Sequence, residues 1–199
     1  MQFREVVRRR RITRRYSGEP VEPGALGRVL DAARRGPSAG FSQGQAFIVV
    51  TDPERRAGLA ALAREAEWVA RGFDPWVSSA PVLVVPCAEP DRYRARYAEA
   101  DKARSAGPDG WGVPYWWVDG GAALMLLLLA AVDEGLAAGF LDVDDRDGVR
   151  RLLGIPSSVE PLGLVTLGHP APDRRSSSLA RDRRPLEEVI HADGWQAPP

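Results

Sequence analysis

The residue type whose number and placement first invite chemistry is arginine. The 199-residue chain carries 26 arginines and one lysine, Lys102. They gather at its ends, with seven Arg and one Glu in residues 1–15 and five Arg and one Asp in residues 174–184. The formal net charge is zero, so the middle of the chain is acidic. A guanidinium is a planar fork of donors suited to phosphate or carboxylate. Coding preference across a genome is the other source of such a bias. Nucleic acid is not the expected partner: the basic ends lack interleaved aromatics, no zinc-finger or RNP pattern occurs, and the sequence pI is about 6.8.

Two further patterns suggest chemistry that their surroundings exclude. Gly36-Pro37-Ser38-Ala39-Gly40 matches G-x-S-x-G, and Asp and His residues follow in the order of an α/β-hydrolase. A nucleophile elbow needs a strand before its serine and a helix after it; here a helical pattern precedes and a strand pattern follows. Gly110-Trp111-Gly112 lacks the third glycine of a dinucleotide fingerprint, and no strand leads into it. Cys87 is the lone cysteine, and His169 and His191 are the two histidines. That leaves no disulfide framework, no CxxC and no set of metal ligands, and it suits a reducing cytoplasm.

These residues must be positioned by elements that the apolar pattern marks out. Phe3, Val6 and Val7 fall at helical spacing, and Val21-Glu22-Pro23 opens a second helix stopped by Gly36-Pro37. Gln45–Val50, Pro81–Cys87, Ala138–Val143 and Leu162–Leu167 read as strands, with helices after the first three. A long helix from about Tyr115 to Leu136 is apolar on nearly every side, so it must be covered all round, with Asp119 as its cap. Its longest apolar stretch, Ala122–Val132, is too short to span a bilayer, and no apolar run follows Arg8–Arg11, so neither membrane insertion nor export is expected. The fold class is α+β, with a mixed four- to five-stranded sheet flanked by helices. Residues 1–170 form the main domain. The tail 171–199 has little core of its own, and its Leu186, Val189, Ile190 and Trp195 need another surface.

Five segments, in order, resemble the flavin-dependent nitroreductase family and together cover almost the whole chain. Arg10-Arg11-Ile12-Thr13-Arg14-Arg15-Tyr16 is similar to its opening R-R-S-x-R-x-[FY], and Gly36–Gln43 to its A-P-S-x-x-N-x-Q-P-W loop. Ala130–Leu136 resembles L-A-A-x-x-x-G-L, Pro161–Pro170 the last core strand, and Arg183–Val189 the basic tail. The resemblance implies a domain-swapped homodimer with FMN at the subunit interface and NADH or NADPH as reductant. Arg10, Arg11 and Arg14 match basic cofactor contacts, and Arg183 and Arg184 are assigned to the phosphate. Pro37, Ser38, Ala39, Gly40, Phe41 and Gln43 would meet the ribityl chain and ring, with a backbone N–H at Leu141, Asp142 or Val143 facing the flavin N5.

The flavin would then carry the chemistry, and no catalytic acid or base is expected. Ping-pong hydride transfer to an electron-poor, nitroaromatic- or quinone-like small molecule follows. Phe41, Trp111, Tyr115 and Trp116 are candidates for the substrate pocket, with Phe73 and Trp76 nearby; packing of the core or dimer is the alternative. Three departures stand out: Ile12 replaces the usual serine, Phe41 the usual Asn, and Gly44-Gln45 the usual Pro-Trp. The alternatives are a non-catalytic flavin-binding or storage protein, a biosynthetic flavin dehydrogenase, a flavin-fragmenting enzyme, or a deazaflavin in place of FMN.

Overall fold

The computed structural model describes residues 1–102, 105, 107–174 and 181–195; Ser176–Ser178 of the tail lie outside the described residues. The sheet is organised by β2 (Val82–Ala88), an apolar run buried along its whole length. β1 (Gln45–Val50) pairs with one side of β2, Ile48 opposite Val85. On the other side lies β5 (Leu164–Gly168), and β3 (Ala137–Leu141) closes the order β1-β2-β5-β3. β4 (Glu160–Pro161) pairs with the end of β2 at Cys87 and Ala88. Every pairing between these strands is antiparallel. The parallel component of the expected mixed sheet is one bridge, Ile12 to Ala138, where the N-terminal arm runs along β3.

Strand alternation divides the core into two layers. Val82, Val84, Val165 and Leu167 face α2 (Pro23–Ala33) and α6 (Tyr115–Asp133), whose Val29, Leu127 and Ala131 are fully buried. Leu83, Val85 and Leu164 face the other way, onto α3 (Pro53–Leu62) and α7 (Arg146–Leu153). α1 (Phe3–Arg9) lies against α6. Two helices remain: α4 (Glu65–Ala70), which no periodic pattern in the sequence announced, and α5 (Pro90–Tyr97).

α6 corrects two expectations. Its N-cap is Pro114, so Asp119 sits a turn inside the helix and does not cap it. Nor is it covered all round: Tyr115, Val118 and Met125 are about half exposed. By length and composition α6 passes as a membrane span, but its opposite side packs on α2 and the sheet. It ends at Asp133 because Gly135, at φ 73°, takes the left-handed position. There the N–H of Leu136 reaches the Ala131 carbonyl at 2.8 Å.

Candidate functional site

The arm Arg10–Tyr16 crosses the outer edge of β3. The Thr13 N–H donates to the Ala138 carbonyl at 3.1 Å, so the polar groups of Ala138 face outward. Alternation turns those of Phe140 outward as well, and β3 ends at Leu141, one residue before Asp142. Of the three residues that the resemblance offered for a free backbone donor, Leu141 pairs with Leu164 inside the sheet. The Val143 N–H donates to Asp142 Oδ1 at 2.9 Å. Close approach of the arm depends on Gly139, where a Cβ would stand 2.5 Å from the Thr13 carbonyl oxygen and 2.7 Å from Trp76 Cζ2.

Arg14 is exposed, with its guanidinium carbon 4.9 Å from the centre of the Trp76 ring. Its N–H donates to Asp173 Oδ2 at 2.9 Å. Residues 169–173 run back along the arm: the Ser17 N–H reaches the His169 carbonyl and the Ala171 N–H the Arg15 carbonyl. These bonds tie residues 169–173 to the arm. Behind the arm, Trp76 Nε1 donates to Thr166 Oγ1 at 2.9 Å, and Thr166 Oγ1 lies 2.7 Å from the Tyr16 hydroxyl, which donates to the Thr13 carbonyl at 2.9 Å. Burial pushes the Tyr16 phenol up to about 12.

Beside the arm is an open cleft of ≈ 550 Å³ whose rim includes Arg8, Arg9, Arg10 and Arg11, with Val132 and Leu136 on its apolar side. Thr13 also lines it, and Thr13 Oγ1 is buried without a hydrogen-bond partner among the described residues. Such a volume falls in the range of small-molecule sites. Four arginines on its rim make the cleft basic, although the Arg9 guanidinium is already paired with Glu5.

The second group of expected residues, Pro37–Gln43, forms a strained turn. Gly40, Phe41 and Gln43 all have positive φ, at 63°, 58° and 51°. The turn is held from several sides: Ser38 Oγ accepts from the Gln43 N–H at 2.6 Å, and Arg96 Nε donates to the Gly40 carbonyl at 2.8 Å. Asp119 Oδ2 accepts from the Ala39 N–H at 2.8 Å and from the Tyr93 hydroxyl at 2.9 Å. Burial, and then the Asp119 carboxylate, push the Tyr93 phenol well above its ordinary value. Phe41 points outward, 75% exposed. Trp111, Tyr115 and Trp116 join Tyr93 and Tyr97 in one cluster, with Trp111 4.9 Å from Tyr97 and 5.1 Å from Tyr115.

The two groups stand at opposite ends of α6. The loop is tied to Asp119 and the cleft reaches Val132; at 1.5 Å per residue the two lie about 20 Å apart along the helix. One chain does not bring its arm and its loop together. In the tail, Arg183 and Arg184 are exposed, and Arg184 pairs with Glu188. Leu186, Ile190 and Trp195 are 62–86% exposed and so lack the cover they call for. Sequence reasoning missed the roles of Asp119 and Tyr93 in holding the loop, and of Trp76 under Arg14. A carboxylate one turn into an otherwise apolar helix was the available signal for the first.

A profile described as the nitroreductase family matches residues 7–169. The chain is 31% identical over 190 residues to a Bacillus subtilis (strain 168) protein named FMN reductase (NAD(P)H), covering 93% of this chain and 71% of that one. It is also 31% identical over 201 residues to a Thermus thermophilus protein named NADH dehydrogenase, covering 92% and 91%. Among solved structures it resembles the NADPH:FMN oxidoreductase from Vibrio harveyi complexed with NAD+, with a TM-score of 0.77 at 23% identity, over 99% of this chain and 79% of that one. At that identity the likeness speaks for the fold.

Proposed function

Since the chain belongs to the nitroreductase family, we propose that it is an FMN-dependent NAD(P)H oxidoreductase whose site is completed by a second copy of the chain. The observation that carries this reading is the arm over the outer edge of β3. Arginines and an apolar wall meet there, while the loop that should close the site lies at the far end of α6. The residues fit FMN: the cleft has room for a small-molecule cofactor and the charge for a phosphate dianion, and the buried Thr13 hydroxyl has an unused acceptor and donor.

FMN, when bound, supplies two-electron hydride chemistry between a nicotinamide and an electron-poor aromatic or quinone-like acceptor that take turns in one pocket. The chain's residues bind, orient and exclude water. Arg10 and Arg11, with Arg183 and Arg184 of the tail, hold the phosphate through charge-assisted hydrogen bonds. Arg14 places positive charge beside the ring, at the edge where negative charge develops on reduction. The Asp142 N–H, just past the end of β3, would be the backbone donor to the ring. From the second copy, Pro37, Ser38, Ala39, Gly40 and Gln43 meet the ribityl chain and ring. Phe41, backed by Trp111, Tyr115 and Trp116, forms the aromatic wall against the acceptor.

The test begins with the visible spectrum of protein purified without added flavin, the mass of any released chromophore, and anaerobic addition of NAD(P)H. Bound FMN that bleaches supports the proposal. FMN that stays oxidised points to a flavin-binding protein or to a dehydrogenase reduced by its own substrate. Shared assembly is read by mixing an Arg10→Ala/Arg14→Ala chain with a loop-defective Ser38→Ala/Gln43→Ala chain. Random twofold pairing should restore about a quarter of the wild-type FMN sites; no restoration means each chain builds its own site.

A further inference from the structure

We infer that Trp76 is the positioning residue for Arg14, its ring fixing the guanidinium at the open edge of β3. The inference rests on the proposal that FMN binds beside Arg14. Arginine has a long side chain whose ordering costs rotamer freedom, and the Arg14 side chain is exposed, so something must restrict it if its charge is to act at one place. The ring of Trp76 lies 4.9 Å from the guanidinium carbon, within reach of a cation–π contact.

The ring is itself held. Its Nε1 donates to Thr166 Oγ1, and the fully buried Thr166 can accept that bond while its own proton passes to the Tyr16 oxygen at 2.7 Å. Tyr16 then donates to the Thr13 carbonyl, the residue before Arg14. These bonds, with the Tyr16 hydroxyl also 3.1 Å from the Thr166 carbonyl, fix the ring beneath the guanidinium and the backbone next to it. Asp173 holds the Arg14 N–H from the other side. The missing Cβ of Gly139 lets ring and arm both approach the edge strand, since a Cβ there would collide with each. The ring offers only its face and the guanidinium keeps its donors, so Arg14 stays free to pair with an anionic group.

The experiment measures the two-electron midpoint potential of bound FMN, and the affinity for oxidised FMN, in wild type, Trp76→Phe, Trp76→Leu and Arg14→Ala. Phe keeps a ring face without the N–H, and Leu keeps apolar bulk without the ring. Trp76→Met, a flexible filler, is the second variant if Leu does not fold. Loss of the ring should weaken binding of reduced relative to oxidised FMN by about three- to tenfold, which lowers the potential by about 15–30 mV. Arg14→Ala should lower it at least as far, and Trp76→Phe should remain nearer to wild type than Trp76→Leu. A role in packing alone would lower melting temperature in both Trp variants without separating their potentials, and that result overturns the inference. If Arg14→Ala leaves the potential unmoved, the placement of FMN beside Arg14 fails first. If Arg14→Ala moves it and Trp76→Leu does not, only the role of Trp76 fails.

Discussion

Asp119→Ala tests how the strained loop is held. Asp119 is 4% exposed, and its Oδ2 accepts both the Ala39 N–H at 2.8 Å and the hydroxyl of the fully buried Tyr93 at 2.9 Å. Truncation removes the carboxylate that both donors use, leaving the Tyr93 hydroxyl only the Ser38 side chain and the part-buried Ala39 N–H no side-chain acceptor, and each buried donor left without a partner costs roughly 1–3 kcal/mol. The expected loss is therefore about 2–5 kcal/mol, a large share of the roughly 5–15 kcal/mol that stabilises an ordinary domain. In a domain of this size it lowers the melting temperature by about 5–15 °C. Urea unfolding of the flavin-free protein, followed by far-UV circular dichroism, measures it as a lower midpoint at unchanged slope. Asp119→Asn keeps an acceptor oxygen and should lose less than half as much. Because the loop is proposed to complete the partner's cofactor site, FMN affinity should fall with it. An Asp119→Ala protein within about 0.5 kcal/mol of wild type, the usual scatter of inconsequential surface changes, would refute the assignment of Asp119 as the anchor of the loop.

Thr166→Val removes the acceptor of Trp76 Nε1 at a fully buried position and should cost about 1–3 kcal/mol in urea unfolding, whereas Thr166→Ser keeps the hydroxyl and should cost less. The Tyr16 phenol ionises near 10 when unfolded and at about 12 when folded. Its contribution is intact below pH 10 and is lost as pH rises to 12, by about 2–3 kcal/mol; the stability of Tyr16→Phe should decline less steeply over that interval, and an equal slope argues against the burial assigned to the phenol. Phe41→Gly relieves a residue at φ 58° and should leave the flavin-free protein at least as stable, within about 1 kcal/mol, while FMN affinity falls. Reduced stability with unchanged affinity would show that Phe41 serves the fold and not the site.

The strands were legible because each is a short apolar run: Gln45–Val50 came out with its expected bounds, and the other three main strands within two residues or so. β4 pairs through only two residues and α4 has six with no periodic face, so neither leaves a pattern in the sequence. Asp119 was misread because a carboxylate near the start of a helix resembles a cap, and only the tertiary position of Ala39 and Tyr93 reveals its partners. The arm and the loop were legible as motifs through the family resemblance. Their separation along α6 was not, because motif order carries no distance. The contact between Arg14 and Trp76 depends on two segments meeting over a strand that lacks a Cβ at Gly139, and no local pattern encodes such a meeting.

Three features that look like defects in one chain agree once a second copy is supplied. A bulky residue with positive φ is costly and persists only where its surroundings impose it. Phe41 is so held, yet its ring points into solvent, where nothing in its own chain repays the strain. α6 leaves Val118 and Met125 uncovered, although an apolar helix in water calls for burial on that side. The tail exposes Leu186, Val189, Ile190 and Trp195 in a segment with no core. Separate causes could be sought for each, but the proposed twofold association would cover the open face of α6, give the tail a surface, and carry Phe41 with its loop toward the arm of the other chain. The departures at Ile12 and Phe41 then have a common sense. They place an apolar side chain in each half of the proposed site, beside the unpaired Thr13 hydroxyl on one half and the aromatic cluster on the other.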